Sequence, residues 1–121
     1  MNRLEQIDGL NQEIAKALFE SVPMPSWTEV VAVTKSTPDG SALSRTVRFG
    51  LLDGTVDRGS SPVRKYERRF SELTEQHWRL TQDLGFPRWF AMTVTVQRSG
   101  KCSFEFEYKD DYKEGDIMQR G

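Results

Sequence analysis

The single histidine, His77, and the single cysteine, Cys102, are the first residues to weigh for chemistry. His77 stands between Leu73 and Leu80 on a helical spacing. As a general base it would need a nucleophile and an orienting acid within reach. No Gly-x-Ser-x-Gly elbow, phosphate loop or His-Glu-x-x-His pattern supplies them. The favoured reading is a half-buried histidine bonded to a neighbouring backbone group. Cys102 alternates with Phe104, which places it on an apolar strand face as a buried thiol rather than a nucleophile. One Cys excludes an internal disulfide, and one His with one Cys falls short of the ligand set of structural zinc. The carboxylates Asp110, Asp111, Glu114 and Asp116 lack the glycine and ligand spacing of an EF-hand loop. The expectation is a protein that is not an enzyme and has no cofactor or dedicated metal site.

Charge is the next candidate for function. Between positions 58 and 69 stand Arg58, Arg64, Lys65, Arg68 and Arg69 against Glu67 alone. Read sharply, this is a patch for phosphate or an acidic partner. Read plainly, it is a solvated face paired to acids elsewhere, and the plain reading is favoured. Between positions 103 and 116 the balance reverses: Glu105, Glu107, Asp110, Asp111, Glu114 and Asp116 oppose Lys109 and Lys113. The whole chain is nearly neutral, with 17 Lys and Arg against 18 Asp and Glu. Binding nucleic acid through an overall basic field is therefore not expected.

The elements that must position these groups are legible in outline. At 121 residues the chain fits one domain, 1–121. No stretch approaches the ~20 apolar residues of a membrane span. The first residues hold no apolar run of signal-peptide type, so the expected location is cytoplasmic. Leu4, Ile7, Ile14 and Leu18, with Leu10 and Ala17 at the margin, mark an amphipathic helix that Pro23 and Pro25 stop. Trp27 to Lys35 reads as a strand, followed by turn chemistry at Pro38-Asp39-Gly40. A second strand puts Leu43, Val47 and Phe49 on one face. Asp53-Gly54 suits a two-residue type I′ turn into a short strand at Thr55-Val56. Ser61 is the expected N-cap of a second helix, with Pro62 in its first position. That helix carries the seam Tyr66, Phe70, Leu73, His77, Leu80 and Leu84, and Gly85 with Pro87 ends it.

The final hairpin allows its register to be inferred. A two-residue loop would set apolar positions against polar ones. The three-residue loop Arg98-Ser99-Gly100 pairs Val96 with Cys102, Val94 with Phe104, Met92 with Phe106 and Phe90 with Tyr108. It places Gly100 at the left-handed position of a type I turn with a G1 bulge. The predicted fold is α+β: N-terminal helix, three-stranded antiparallel meander, second helix and C-terminal β-hairpin, with the helices on one face of the sheet. Strand order is not fixed by this reading.

In that register, simple alternation puts Trp89, Ala91, Thr93 and Thr95 on the outer face with Glu105 and Glu107. An aromatic anchor among small residues and carboxylates suits a protein interface, docking in a basic cleft where phosphates would sit. It equally suits an ordinary wet sheet face with Trp89 lying across its neighbours.

The opening helix followed by Trp27-Thr28-Glu29-Val30-Val31-Ala32-Val33 resembles the start of the YezG-like bacterial immunity (antitoxin) family. The block Arg88-Trp89-Phe90-Ala91-Met92-Thr93-Val94-Thr95-Val96, a Gly100-Lys101 turn, then Phe104-Glu105-Phe106-Glu107-Tyr108-Lys109-Asp110-Asp111 is similar to that family's closing strands. The likeness covers mainly residues 4–35 and 87–112. It implies an immunity protein that neutralises a cognate polymorphic-toxin domain, often a nuclease, by stoichiometric occlusion. The partner-binding positions it implies are Trp89, Glu105, Glu107, Tyr108, Asp110 and Asp111. The Arg-rich stretch from Arg64 to Arg69 departs from the family pattern, where a more acidic region is expected. The alternatives are a small adaptor module using the basic 58–69 segment and an enzyme built around His77.

Overall fold

The computed structural model describes residues 3–37, 42–85 and 89–108, with the side chains of Arg3 and Leu4 excepted. The Pro38-Asp39-Gly40 turn, Pro87, the Leu4 side chain and the carboxylates Asp110, Asp111, Glu114 and Asp116 lie outside the described residues. Two helices, α1 (Arg3–Glu20) and α2 (Arg64–Asp83), accompany five strands: β1 (Trp27–Ser36), β2 (Leu43–Leu51), β3 (Val56–Asp57), β4 (Trp89–Gln97) and β5 (Cys102–Tyr108). The strands form one antiparallel sheet in the order β3-β2-β1-β4-β5. The class is the predicted α+β.

Strand order follows from where apolar surface is densest. β1 is central, with Val30, Ala32 and Thr34 buried on one face and Val31 buried on the other. Ile14, Ala17 and Leu18 of α1 and Phe70, Leu73 and Trp78 of α2 share one core with Val30, Ala32, Phe49, Met92, Val94 and Val96. Both helices therefore bury their apolar stripes on the same side of the sheet.

The helix seam is displaced from its predicted line. Buried positions on α2 are Phe70, Leu73, Thr74, His77, Trp78 and Thr81, while Tyr66, Leu80 and Leu84 are only half-buried. The helix is rolled so that Trp78 enters the core, where its indole N–H donates to the Trp89 carbonyl at 3.0 Å. The two buried threonines satisfy their hydroxyls within the helix. Thr74 donates to Phe70 O and Thr81 to Trp78 O.

Three local expectations are corrected. Helix α2 starts at Arg64 with Val63 as N-cap and no side-chain cap, not at Pro62 capped by Ser61. The loop before it is held by Asp57, whose carboxylate accepts from the Gly59 and Ser60 amides and from the Ser60 hydroxyl. The turn at Asp53-Gly54 is not type I′, because Gly54 has φ +89° and among the described residues no non-glycine has positive φ. Leu51 N–H donates to Thr55 O, and Gly54 N–H to Leu51 O, so the loop is the three-residue kind and β3 begins one residue later, at Val56. The β4–β5 loop is built the same way, as predicted. Gln97 N–H donates to Lys101 O, Gly100 N–H donates to Gln97 O, and Gly100 has φ +100°.

The predicted hairpin register holds at Val96–Cys102, Val94–Phe104 and Met92–Phe106. It fails at the end, where Trp89, not Phe90, pairs with Tyr108 across a register shift between Trp89 and Ala91. The extra residue turns Trp89 inward, so alternation counted from Ala91 places it on the wrong face. Cys102 has its predicted strand partner but is exposed, because it sits at the hairpin end of an edge strand.

Candidate functional site

The residues implied as partner-binding separate onto two sides of the sheet. Glu105 and Glu107 are exposed on β5, opposite Thr93 and Ala91 of β4. They belong to the face away from the helices, which also carries Val33, Thr95, Arg48 and Ser103 through the β1, β2 and β4 pairings. Among the described residues no helix lies on this face. Val31 and Ala91 within it are buried, whereas its β5 margin is wet and acidic.

Trp89 lies on the other side, at 1% exposure, and is a core residue rather than the predicted surface anchor. Its indole N–H donates to His77 Nδ1 at 3.4 Å, and its ring centroid is 6.3 Å from that of Phe106. Tyr108 is half-buried beside it, 6.4 Å from Phe106. Asp110 and Asp111 lie outside the described residues.

His77 is fully buried and stacks on Phe106 with centroids 5.4 Å apart and planes 11° from parallel. With Nδ1 accepting from Trp89, the imidazole proton sits on Nε2, which has no partner among the described residues. Burial pushes the imidazole down to about 4, so it is neutral near pH 7. The expected backbone bond to His77 is replaced by this side-chain bond. His77 and Trp78 together fasten α2 to the first residue of β4 through the side chain and carbonyl of Trp89.

The basic segment divides. Arg69 bridges to Glu13 of α1 at 2.8 Å, as the plain reading requires. Lys65 lies 5.3 Å above the Tyr66 ring, and Arg64 and Arg68 are exposed. The hairpin tip is tied to the start of the neighbouring strand β1 by Arg98, whose amide donates to Thr28 O at 2.8 Å and whose guanidinium donates to the Pro25 carbonyl.

The described residues contain no group of three or more His, Cys, Asp or Glu placed to hold a metal ion. No helix among them is long and apolar enough to cross a membrane. No protein-family model matches the chain, and no curated protein matches it.

Proposed function

We propose that this is an immunity-type inhibitor that binds a cognate toxin domain through the acidic β5 margin of the helix-free sheet face. The observation that carries the reading is the exposed pair Glu105 and Glu107 on an edge strand, facing away from both helices. An edge strand offers unpaired backbone groups to a partner, and carboxylates beside it match the basic substrate cleft of a nuclease. The sequence likeness to YezG-like immunity proteins supports the same choice. With Trp89 in the core, contact would fall on Glu105, Glu107 and the neighbouring small residues Thr93 and Thr95. Occlusion in the cytoplasm, with no cofactor and no direct nucleic-acid contact, is the proposed mode of action. The second reading is an adaptor that engages a partner through the exposed Arg64, Lys65 and Arg68.

The direct test is to express the C-terminal domain encoded by the neighbouring open reading frame, with and without this protein, and to count viable cells. Toxicity abolished by co-expression, with co-purification of the pair, is the expected result. Protection that survives Glu105→Lys/Glu107→Lys in full would remove the acidic margin from the mechanism. Loss of partner binding on replacing Arg64, Lys65 and Arg68 by Gln, with the acidic margin dispensable, would favour the adaptor.

A further inference from the structure

A pocket of about 220 Å³ opens between α2 and the β1–β2 ribbon, on the helix-bearing side of the sheet. It is lined by Thr34 and Arg45 from the strands and by Thr74, Glu75, Trp78 and Arg79 from α2, among others. Thr34 and Arg45 are direct cross-strand partners, so the sheet register itself sets a hydroxyl beside a guanidinium. The helix residues follow the i, i+1, i+4, i+5 pattern of one helix face.

The hydrogen-bond inventory of these groups is unequal. Thr34 is 1% exposed, and its Oγ1 has no partner among the described residues. A buried hydroxyl left unpaired is costly, so such a group marks a place where an acceptor or donor belongs. Arg45 has a side chain only 18% exposed, with Glu67 at 3.4 Å and the Phe70 ring at 5.4 Å from its guanidinium carbon. A guanidinium has five N–H donors, and one long contact leaves most of that fork open. Four other lining groups are engaged: Arg79 donates through Nε and Nη2 to Glu75, Thr74 donates to Phe70 O, and the Trp78 indole donates to Trp89 O. The groups left free are thus the Arg45 guanidinium and the hydroxyls of Thr34 and Ser71, set beside the bulk of Trp78.

We propose that this pocket binds the carboxylate of a compact organic acid, with Arg45 and Thr34 donating to its oxygens and Trp78 covering its apolar part. A planar carboxylate matches a guanidinium fork. A monoanion suits the site better than a phosphate dianion, because Glu67 and Glu75 already set negative charge beside the arginines. The volume is below the ~300–1,000 Å³ of drug-sized sites, which limits the acid to a short branched chain or a single ring. The pocket does not use Glu105 or Glu107, so its occupancy is independent of the proposed partner and can be measured on the protein alone.

The test is a titration of the ¹⁵N-labelled full chain with sodium isobutyrate, sodium benzoate, sodium phosphate and sodium chloride, each to roughly 20 mM, the range in which a ligand of a few atoms binds. The expected result is a saturable shift of the Thr34 and Thr74 amides and the Trp78 indole with at least one carboxylate. Chloride should give no such saturation, and phosphate should bind more weakly. In Thr34→Val the affinity should fall about tenfold or more while thermal stability is kept or raised, since the variant removes an unpaired buried hydroxyl. Arg45→Lys, which keeps the charge and loses the fork, should also weaken binding. No saturable shift with either acid, equal affinity in Thr34→Val, or tighter binding of phosphate would overturn the proposal.

Discussion

At His77, burial without an acceptor for Nε2 sets a pH limit on the fold. The neutral imidazole is the native form, with its folded value near 4 against an unfolded value of 6.5. Above about pH 6.5 both states carry no proton on it, and its contribution to stability is fully present. As pH falls from 6.5 toward 4, only the unfolded chain gains the proton, so stability falls. The loss approaches about 3 kcal/mol at pH 4, from roughly 1.4 kcal/mol per unit. Urea titrations from pH 7 to 4 should show this decline, and His77→Gln should be less stable at pH 7 yet lose less on acidification. Parallel decline in the two proteins would assign the acid sensitivity to other groups. Trp89 gives a companion prediction. As a core residue bonded to His77, Trp89→Ala should cost about 3–5 kcal/mol, whereas an exposed anchor would cost under about 0.5 kcal/mol. The midpoint of urea unfolding separates the two.

Among the elements, legibility tracked the regularity of the backbone. The β4–β5 loop was readable because two strands of alternating apolar residues allow one register, and a glycine stood where φ had to be positive. Both strand-opening tryptophans broke alternation, which makes Trp89 unreadable from spacing. Register shifts lie between Trp27 and Glu29 and between Trp89 and Ala91, and each leaves its tryptophan buried. Trp27 then packs edge-on against Phe19 at 5.1 Å. A bulge depends on what lies across the strand: Gly50 faces Glu29, and a Cβ there would meet the Glu29 Cγ at 3.1 Å. The candidate pocket was equally hidden, because Thr34 and Arg45 meet only once strand pairing is known. Two glycines test the element scale in opposite directions. Gly9 lies inside α1 with nothing within 4 Å of an added Cβ, so Gly9→Ala should stabilise by up to about 1 kcal/mol. Gly100 also has open space but φ +100°, so Gly100→Ala should destabilise by about 1 kcal/mol or more. Chemical denaturation of both single variants measures the pair.

For the whole molecule, a net charge of −1 gives a partner almost no long-range field to follow. Any electrostatic steering must come from how charge is distributed, and the described surface separates it. Glu105 and Glu107 line one sheet margin, while Arg64, Lys65 and Arg68 are exposed at the start of α2. At about 0.1 M salt the screening length is roughly 10 Å, so an approaching partner senses one of these patches and not their sum. If the acidic margin is the docking surface, the association rate should fall as salt is raised, and Glu105→Lys/Glu107→Lys should slow association and remove that salt dependence. Neutralising Arg64, Lys65 and Arg68 should leave the association rate unchanged or raise it slightly, by relieving repulsion of a basic partner. Stopped-flow association across a salt series, run on parent and both variants, reads the sign directly. A rate that drops on removing the basic patch, with the acidic variant unaffected, would move the interface to α2 and make the adaptor the better account of this fold.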